Sequence, residues 1–187
     1  MSPITWLQVS DGAPLSLSTT PAGNLLVTCR APNKLVELSA DGGQQVREVV
    51  LQADIEFDWS CHSVKLGSGA VVVCHGDYET HLHRTCLMVH GGSVTVIYGG
   101  RRGSGAEHLD HPRHLAVDSD SQHVFVADDR NHRVVLLSPA LEFIRYVGEG
   151  FSEGVVNPTR LHFDCASRRL YIAQGQTFGY GVTVIQL

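Results

Sequence analysis

The sequence predicts an all-β fold: a β-propeller with four blades' worth of four-stranded antiparallel sheets. Three observations carry this prediction. Four short apolar runs recur, Leu25–Thr28, Val71–Cys74, Val124–Ala127 and Leu170–Ala173, and their third residues, Val27, Val73, Val126 and Ile172, are 46, 53 and 46 residues apart. Each run is bounded by turn-forming residues and followed by another short apolar run. No long segment carries the 3.6-residue period of an amphipathic helix. Four strands in a unit of about 40 to 50 residues is the pattern of a propeller blade.

The elements follow in order within each unit. The first strand opens near a proline: Pro112 stands fourteen residues before Val126, Pro158 fourteen before Ile172, and Pro14 thirteen before Val27. The second unit departs from this, with Trp59 in that place. Asp118 and Asp164 each stand eight residues before the same markers. A polar turn then leads into the second strand: P-A-G-N at 21–24, G-S-G at 67–69, D-S-D-S-Q at 118–122 and A-S-R-R at 166–169. Third runs are Lys34–Leu38, Cys86–Val89, Val134–Leu137 and Val182–Ile185, and fourth runs are Val46–Leu51, Val94–Tyr98 and Phe143–Val147. Val, Leu and Ile fill the runs, while Gly, Asn, Asp and Pro separate them, as strands and tight turns require.

The units span approximately residues 10–52, 53–100, 101–149 and 150–187, preceded by a strand at 3–9, in one domain over 1–187. Residues 4–9 read as an outermost fourth strand, and the last unit stops after its third run. Pairing 4–9 beside 182–186 closes a four-bladed ring and removes exposed strand edges. The alternative is that these blades are part of a larger propeller.

The segment H-P-R-H-L-A-V-D-S-D-S-Q-H-V-F-V-A-D-D-R-N-H-R-V-V-L-L-S, residues 111–138, resembles an NHL repeat. The matching residues are Pro112, Leu115, Ala116, Val117, Asp118, Val126, Ala127, Asp128, Asn131, His132 and Arg133, with His114 where glycine is usual. The first and last units match more weakly and the second is the most divergent. The resemblance implies an NHL-type propeller, similar to the carboxy-terminal, substrate-recruiting part of tripartite-motif ubiquitin ligases.

Composition limits the function classes. The 187 residues carry a formal charge of −5, which argues against a dedicated nucleic-acid or membrane-surface binder. The five cysteines, Cys29, Cys61, Cys74, Cys86 and Cys165, include no C-x-x-C pair. They read as reduced core thiols rather than zinc ligands or a disulfide framework. The start has no basic, then apolar, leader, and no run approaches a membrane span, so a soluble cytoplasmic protein is expected.

Three segments hold chemistry-bearing residues. Asp128, Asn131, His132 and Arg133 join a second strand to a third and read as a structural turn, since Asn and Asp bond nearby backbone and accept left-handed conformations. The insertion His75–Arg84 brings His75, Asp77, Glu79, His81 and His83 close in sequence. H-x-H is a weak zinc motif, and a His-rich surface loop accounts for it; no metal and no cofactor is expected. The connection Gly99–His114 carries Arg101, Arg102, His108, His111, Arg113 and His114, which are expected to converge beside the central channel and bind a partner.

No nucleophile motif or acid–base constellation stands out, so the chain is expected not to be an enzyme. The favoured reading is an interaction scaffold that binds a protein or peptide partner through the loop face of the propeller. RNA binding through the Arg/His-rich connection is one alternative. A zinc-dependent enzyme resembling the peptide-amidating lyases is another, with His62, His114 and His162 on three inner strands. Relative to Val73, Val126 and Ile172 these lie 11, 12 and 10 residues earlier, and that count places them in different registers.

Overall fold

The structure, a computed structural model, describes residues 12–51, 61–76, 81–88, 92–175 and 180–187. Among the described residues, fifteen strands form four antiparallel sheets. Blade 1 holds β1 (Ala13–Thr19), β2 (Leu25–Arg30), β3 (Lys34–Leu38) and β4 (Gln45–Val50). Blade 2 holds β5 (His62–Lys65), β6 (Val71–Gly76), β7 (Leu82–Met88) and β8 (Val94–Arg101). Blade 3 holds β9 (Pro112–Val117), β10 (Val124–Asp128), β11 (Arg133–Leu137) and β12 (Phe143–Glu149). Blade 4 holds β13 (Pro158–Asp164), β14 (Arg169–Gly175) and β15 (Tyr180–Gln186). Strands neighbour one another in chain order within every blade, and the inner strands β1, β5, β9 and β13 gather about one axis. This is a four-blade β-propeller; helix is confined, among the described residues, to single 3-10 turns such as Asp129–Asn131 and Phe151–Glu153.

The middle strands explain why the apolar runs are continuous rather than alternating. Successive side chains of a strand point to opposite faces of the sheet. In β10, Val124 and Val126 pack toward blade 2 with Val72, Cys74 and Leu109, while Phe125 and Ala127 pack toward blade 4 with Phe163, Leu170 and Ile172. β11 divides in the same way, Val135 and Leu137 to one side and Val134 and Leu136 to the other. Blade 3 is thus sandwiched between blades 2 and 4, and both faces of its central strands must be apolar. The outer strands alternate instead: Val46 and Val50 of β4 are exposed.

Two features differ from the sequence expectation. The described ends of the second unit's insertion are strand: β6 continues to Gly76 and β7 begins at Leu82, and His75 and His83 are buried. Gly99 permits the close pairing on the far side of β7, because a Cβ there, at φ +90°, would sit 2.5 Å from the carbonyl oxygen of His83. Asp77 and Glu79 lie outside the described residues, as do residues 4–9 and their suggested pairing with 182–186. Among the described residues no strand pairs with the outer edge of β15, where Val182 and Val184 are exposed.

Candidate functional site

The turn at 128–133 is built as a junction between two connections. A 3-10 turn at Asp129–Asn131 is closed by His132 in a left-handed conformation. Arg133 is buried and spends all five N–H donors: Nε on Asp128 Oδ2 at 2.8 Å, and its Nη groups on Tyr146 Oη and the carbonyls of Ser104, Gly105 and His108. Its guanidinium also stacks on the Tyr146 ring at 4.5 Å. Asp128 accepts in addition from the Asp110 N–H and from Asn131 Nδ2, which also donates to the Gly103 carbonyl. Burial pushes the Asp128 carboxyl up to about 6, against the lowering effects of Asn131, the Asp110 amide and Arg133. On the other side, the Asn157 N–H donates to His132 Nδ1, and Asn157 Nδ2 donates to Asp129 Oδ1. One six-residue turn thereby ties the connection before blade 3 to the connection before blade 4.

The six residues expected to converge separate into three environments. Arg101 ends β8 and is exposed; Arg102 is exposed and pairs with Asp110 at 2.9 Å; the His108 side chain is exposed. His111 is buried in a positive-φ conformation, with Nδ1 3.2 Å from Asp129 Oδ2, and Arg113 Nε meets the same oxygen at 2.6 Å. Burial raises the Asp129 carboxyl, but His111, Arg113 and Asn157 outweigh it and hold the group below its ordinary value. Only His114 and Arg113 line the axial channel. The expected convergence is therefore corrected: β8 extends to Arg101 and carries the first arginines outward, while Asp129 draws His111 aside.

The axis reveals a site that counting along the chain concealed. His62 pairs with Cys74 and His114 with Ala127, so the two histidines hold equivalent positions, immediately beyond the markers Val73 and Val126. Ser16, opposite Thr28, and Arg160, opposite Ala173, complete the level. His162 pairs with Tyr171 and belongs elsewhere. The register inferred from sequence is thus corrected for His62 and His114: the turn between β5 and β6 is one residue shorter than that between β9 and β10. Pairing across the hairpin, rather than distance through the turn, is the signal that locates the level.

An inner strand has one edge paired in its sheet and one edge facing the axis, whose amides need partners. The histidines supply them across blades. His62 Nδ1 accepts the Leu115 N–H at 3.3 Å, and His114 Nδ1 accepts the Leu161 N–H at 3.3 Å. Their rings stack with centroids 3.7 Å apart. Burial lowers the His62 pKa to about 4, against a hydrogen bond to the Leu17 backbone; burial, then His62 and Arg160, lowers that of His114 to about 2. Both rings are neutral near pH 7. Two depressions meet at this waist, one of about 150 Å³ toward the loop face and one of about 300 Å³ on the opposite side. The loop-face depression is lined by Ser16, His62, Arg113, His114, Arg160 and apolar Leu15, Leu17 and Cys61, with no carboxylate among them. Among the described residues no cluster of three His, Cys, Asp or Glu side chains could hold a metal ion.

No protein-family model and no curated protein sequence matches the chain. Solved structures do. Hydrazine synthase of Kuenenia stuttgartiensis superposes with a TM-score of 0.67 at 14% identity, over 97% of this chain and 48% of that one. A gluconolactonase from Xanthomonas campestris gives 0.62 at 19% identity, over 92% and 58%. A chain of a nidogen–laminin complex gives 0.58 at 14%, over 97% and 79%. The chain thus spans about half the length of the first of these. The likeness establishes the propeller fold. It also corrects the expectation that the chain is not an enzyme, because the fold is shared with a gluconolactonase as well as with a member of a protein–protein complex. No helix among the described residues is long and apolar enough to cross a membrane.

Proposed function

We propose that this propeller recognises a segment of a partner protein on the face where the 101–111 and 150–157 connections gather. The observation that carries the reading is the junction at 128–133. By fixing both connections from one turn, it presents Arg101, Arg102 and His108 on a frame that is already ordered, and little conformational freedom is lost on binding. The NHL-like residues of blade 3 fit the same reading, since the resemblance implies substrate recruitment within a larger, ligase-type protein. The nidogen–laminin chain is a further instance of a propeller in a protein complex.

The test is affinity capture from cells with the wild-type chain and with Arg101→Glu/Arg102→Glu, read by quantitative mass spectrometry. Partners that cross-link to the 101–108 segment and are lost from the double variant support the proposal. An unchanged partner set rejects it. Nucleic acid recovered in place of protein, with affinity falling steeply as salt rises, would establish RNA recognition instead.

A further inference from the structure

The structure assigns the axial depression beneath that face as a binding site for a carboxylate, held between Arg113 and Arg160. The inference rests on the loop face being the recognition face and names the chemistry recognised there. In a chain of formal charge −5, the depression is lined, among the described residues, by two arginines and two histidines and by no acidic residue. Arg160 is exposed; its one hydrogen bond among the described residues is from Nη1 to the adjacent Thr159 carbonyl, and it makes no ion pair there. Arg113 spends Nε on Asp129, which fixes its side chain, and leaves both Nη groups without a hydrogen-bond partner among the described residues. Ser16 Oγ, on the same level, is buried and also lacks a partner among the described residues. An arginine anchored through Nε presents the planar donor pair that suits a carboxylate.

The neutral histidines shape the floor. Each Nδ1 is occupied by a backbone amide of the next blade, so the stacked rings offer a packed, weakly polar surface. Leu17, 61% exposed, adds an apolar wall. A site with apolar floor and wall and guanidinium rim fits a carboxylate carried on a short aliphatic stem. About 150 Å³ admits that group and not a whole folded surface. Two sources share this chemistry: a free small dicarboxylate, or a glutamate side chain on an acidic segment of the partner.

The experiment is calorimetric titration of the chain with glutarate, hexaglutamate, glutaramide and inorganic phosphate. The wild type is compared with Arg160→Gln, Arg113→Gln and Arg101→Gln/Arg102→Gln. Saturable binding of glutarate or hexaglutamate, weakened about tenfold or more by Arg160→Gln and absent for glutaramide, is expected. Glutarate binding as tightly as hexaglutamate identifies a small-molecule carboxylate; hexaglutamate binding at least tenfold tighter identifies an acidic segment. No saturable binding of either, binding unaffected by both Arg160→Gln and Arg113→Gln, or tighter binding of phosphate than of both overturns the assignment. Circular dichroism of each variant confirms that a loss is not unfolding. If the carboxylate binds at the axis while partner capture is indifferent to Arg101 and Arg102, the site stands and the partner reading falls. If capture depends on those arginines and no carboxylate binds, the reverse holds.

Discussion

The turn of blade 3 and the axial depression are made from the same residue types, arginine and histidine, and are finished in opposite ways. At 128–133 the donors are consumed: Arg133 places five N–H groups on Asp128, Tyr146 and three backbone carbonyls, and His132 and Asn131 are bonded to the flanking connections. Among the described residues at the axis, the Arg160 guanidinium is bonded only to its neighbour's carbonyl, Arg113 has spent one of its five N–H donors and Ser16 Oγ is unsatisfied. Saturated polar groups hold a fold together, and ordered groups with donors to spare are available to a ligand. Residue identity does not separate the two regions; hydrogen-bond saturation does.

The contrast can be broken at either end. The largest effect is expected from Arg133→Met. It strands the buried Asp128 and releases three carbonyls of the 104–108 segment, and it should cost about 3 to 5 kcal/mol in urea unfolding. A loss below about 1 kcal/mol would show that the junction is not a structural centre.

Acid should expose the histidine caps next. The His62 pKa in the folded protein lies below its ordinary value of 6.5, at about 4, so its contribution to stability is complete above about pH 6.5 and is lost as pH falls toward 4. By pH 5 the loss should reach about 2 kcal/mol. Asp128, raised to about 6, acts in the opposite direction over part of that range. The His62 contribution is therefore read as the difference between the wild type and His62→Gln, which keeps an acceptor but does not titrate. Parallel pH profiles for the two proteins would refute the assignment.

Asp129→Asn should cost about 1 kcal/mol, since Asn157, His111 and Arg113 keep a neutral acceptor but lose the charge. Arg160→Gln should change unfolding free energy by less than about 0.5 kcal/mol, because its guanidinium ties nothing to the fold. A larger loss would place Arg160 with Arg133 on the structural side of the comparison.

The blades are legible in the sequence because β6 and β10 are buried on both faces against neighbouring blades and β2 and β14 on one, which forces recurrent Val, Leu and Ile at a fixed interval. The turn at 128–133 is legible as a turn from Asp128, Asn131 and His132. Its hold on the 104–108 segment is not, since the acceptors of Arg133 there are backbone carbonyls, and any residue supplies a carbonyl. The axial level is obscured by one residue of difference in turn length, which displaces His62 against His114 when positions are counted through the turn but not across the hairpin. Arg160 and Ser16 escape for the same reason.

The histidine caps give the propeller a direction. His62 precedes the Leu115 amide it receives, and His114 precedes that of Leu161. Synthesised from the amino terminus, each acceptor leaves the ribosome before the strand that needs it, so blades 3 and 4 are each able to dock on a predecessor that already carries the matching ring. A circular permutant that placed blades 1 and 2 behind blade 4 would keep blades 2 and 3 in the same cyclic order and make Leu115 leave the ribosome before His62.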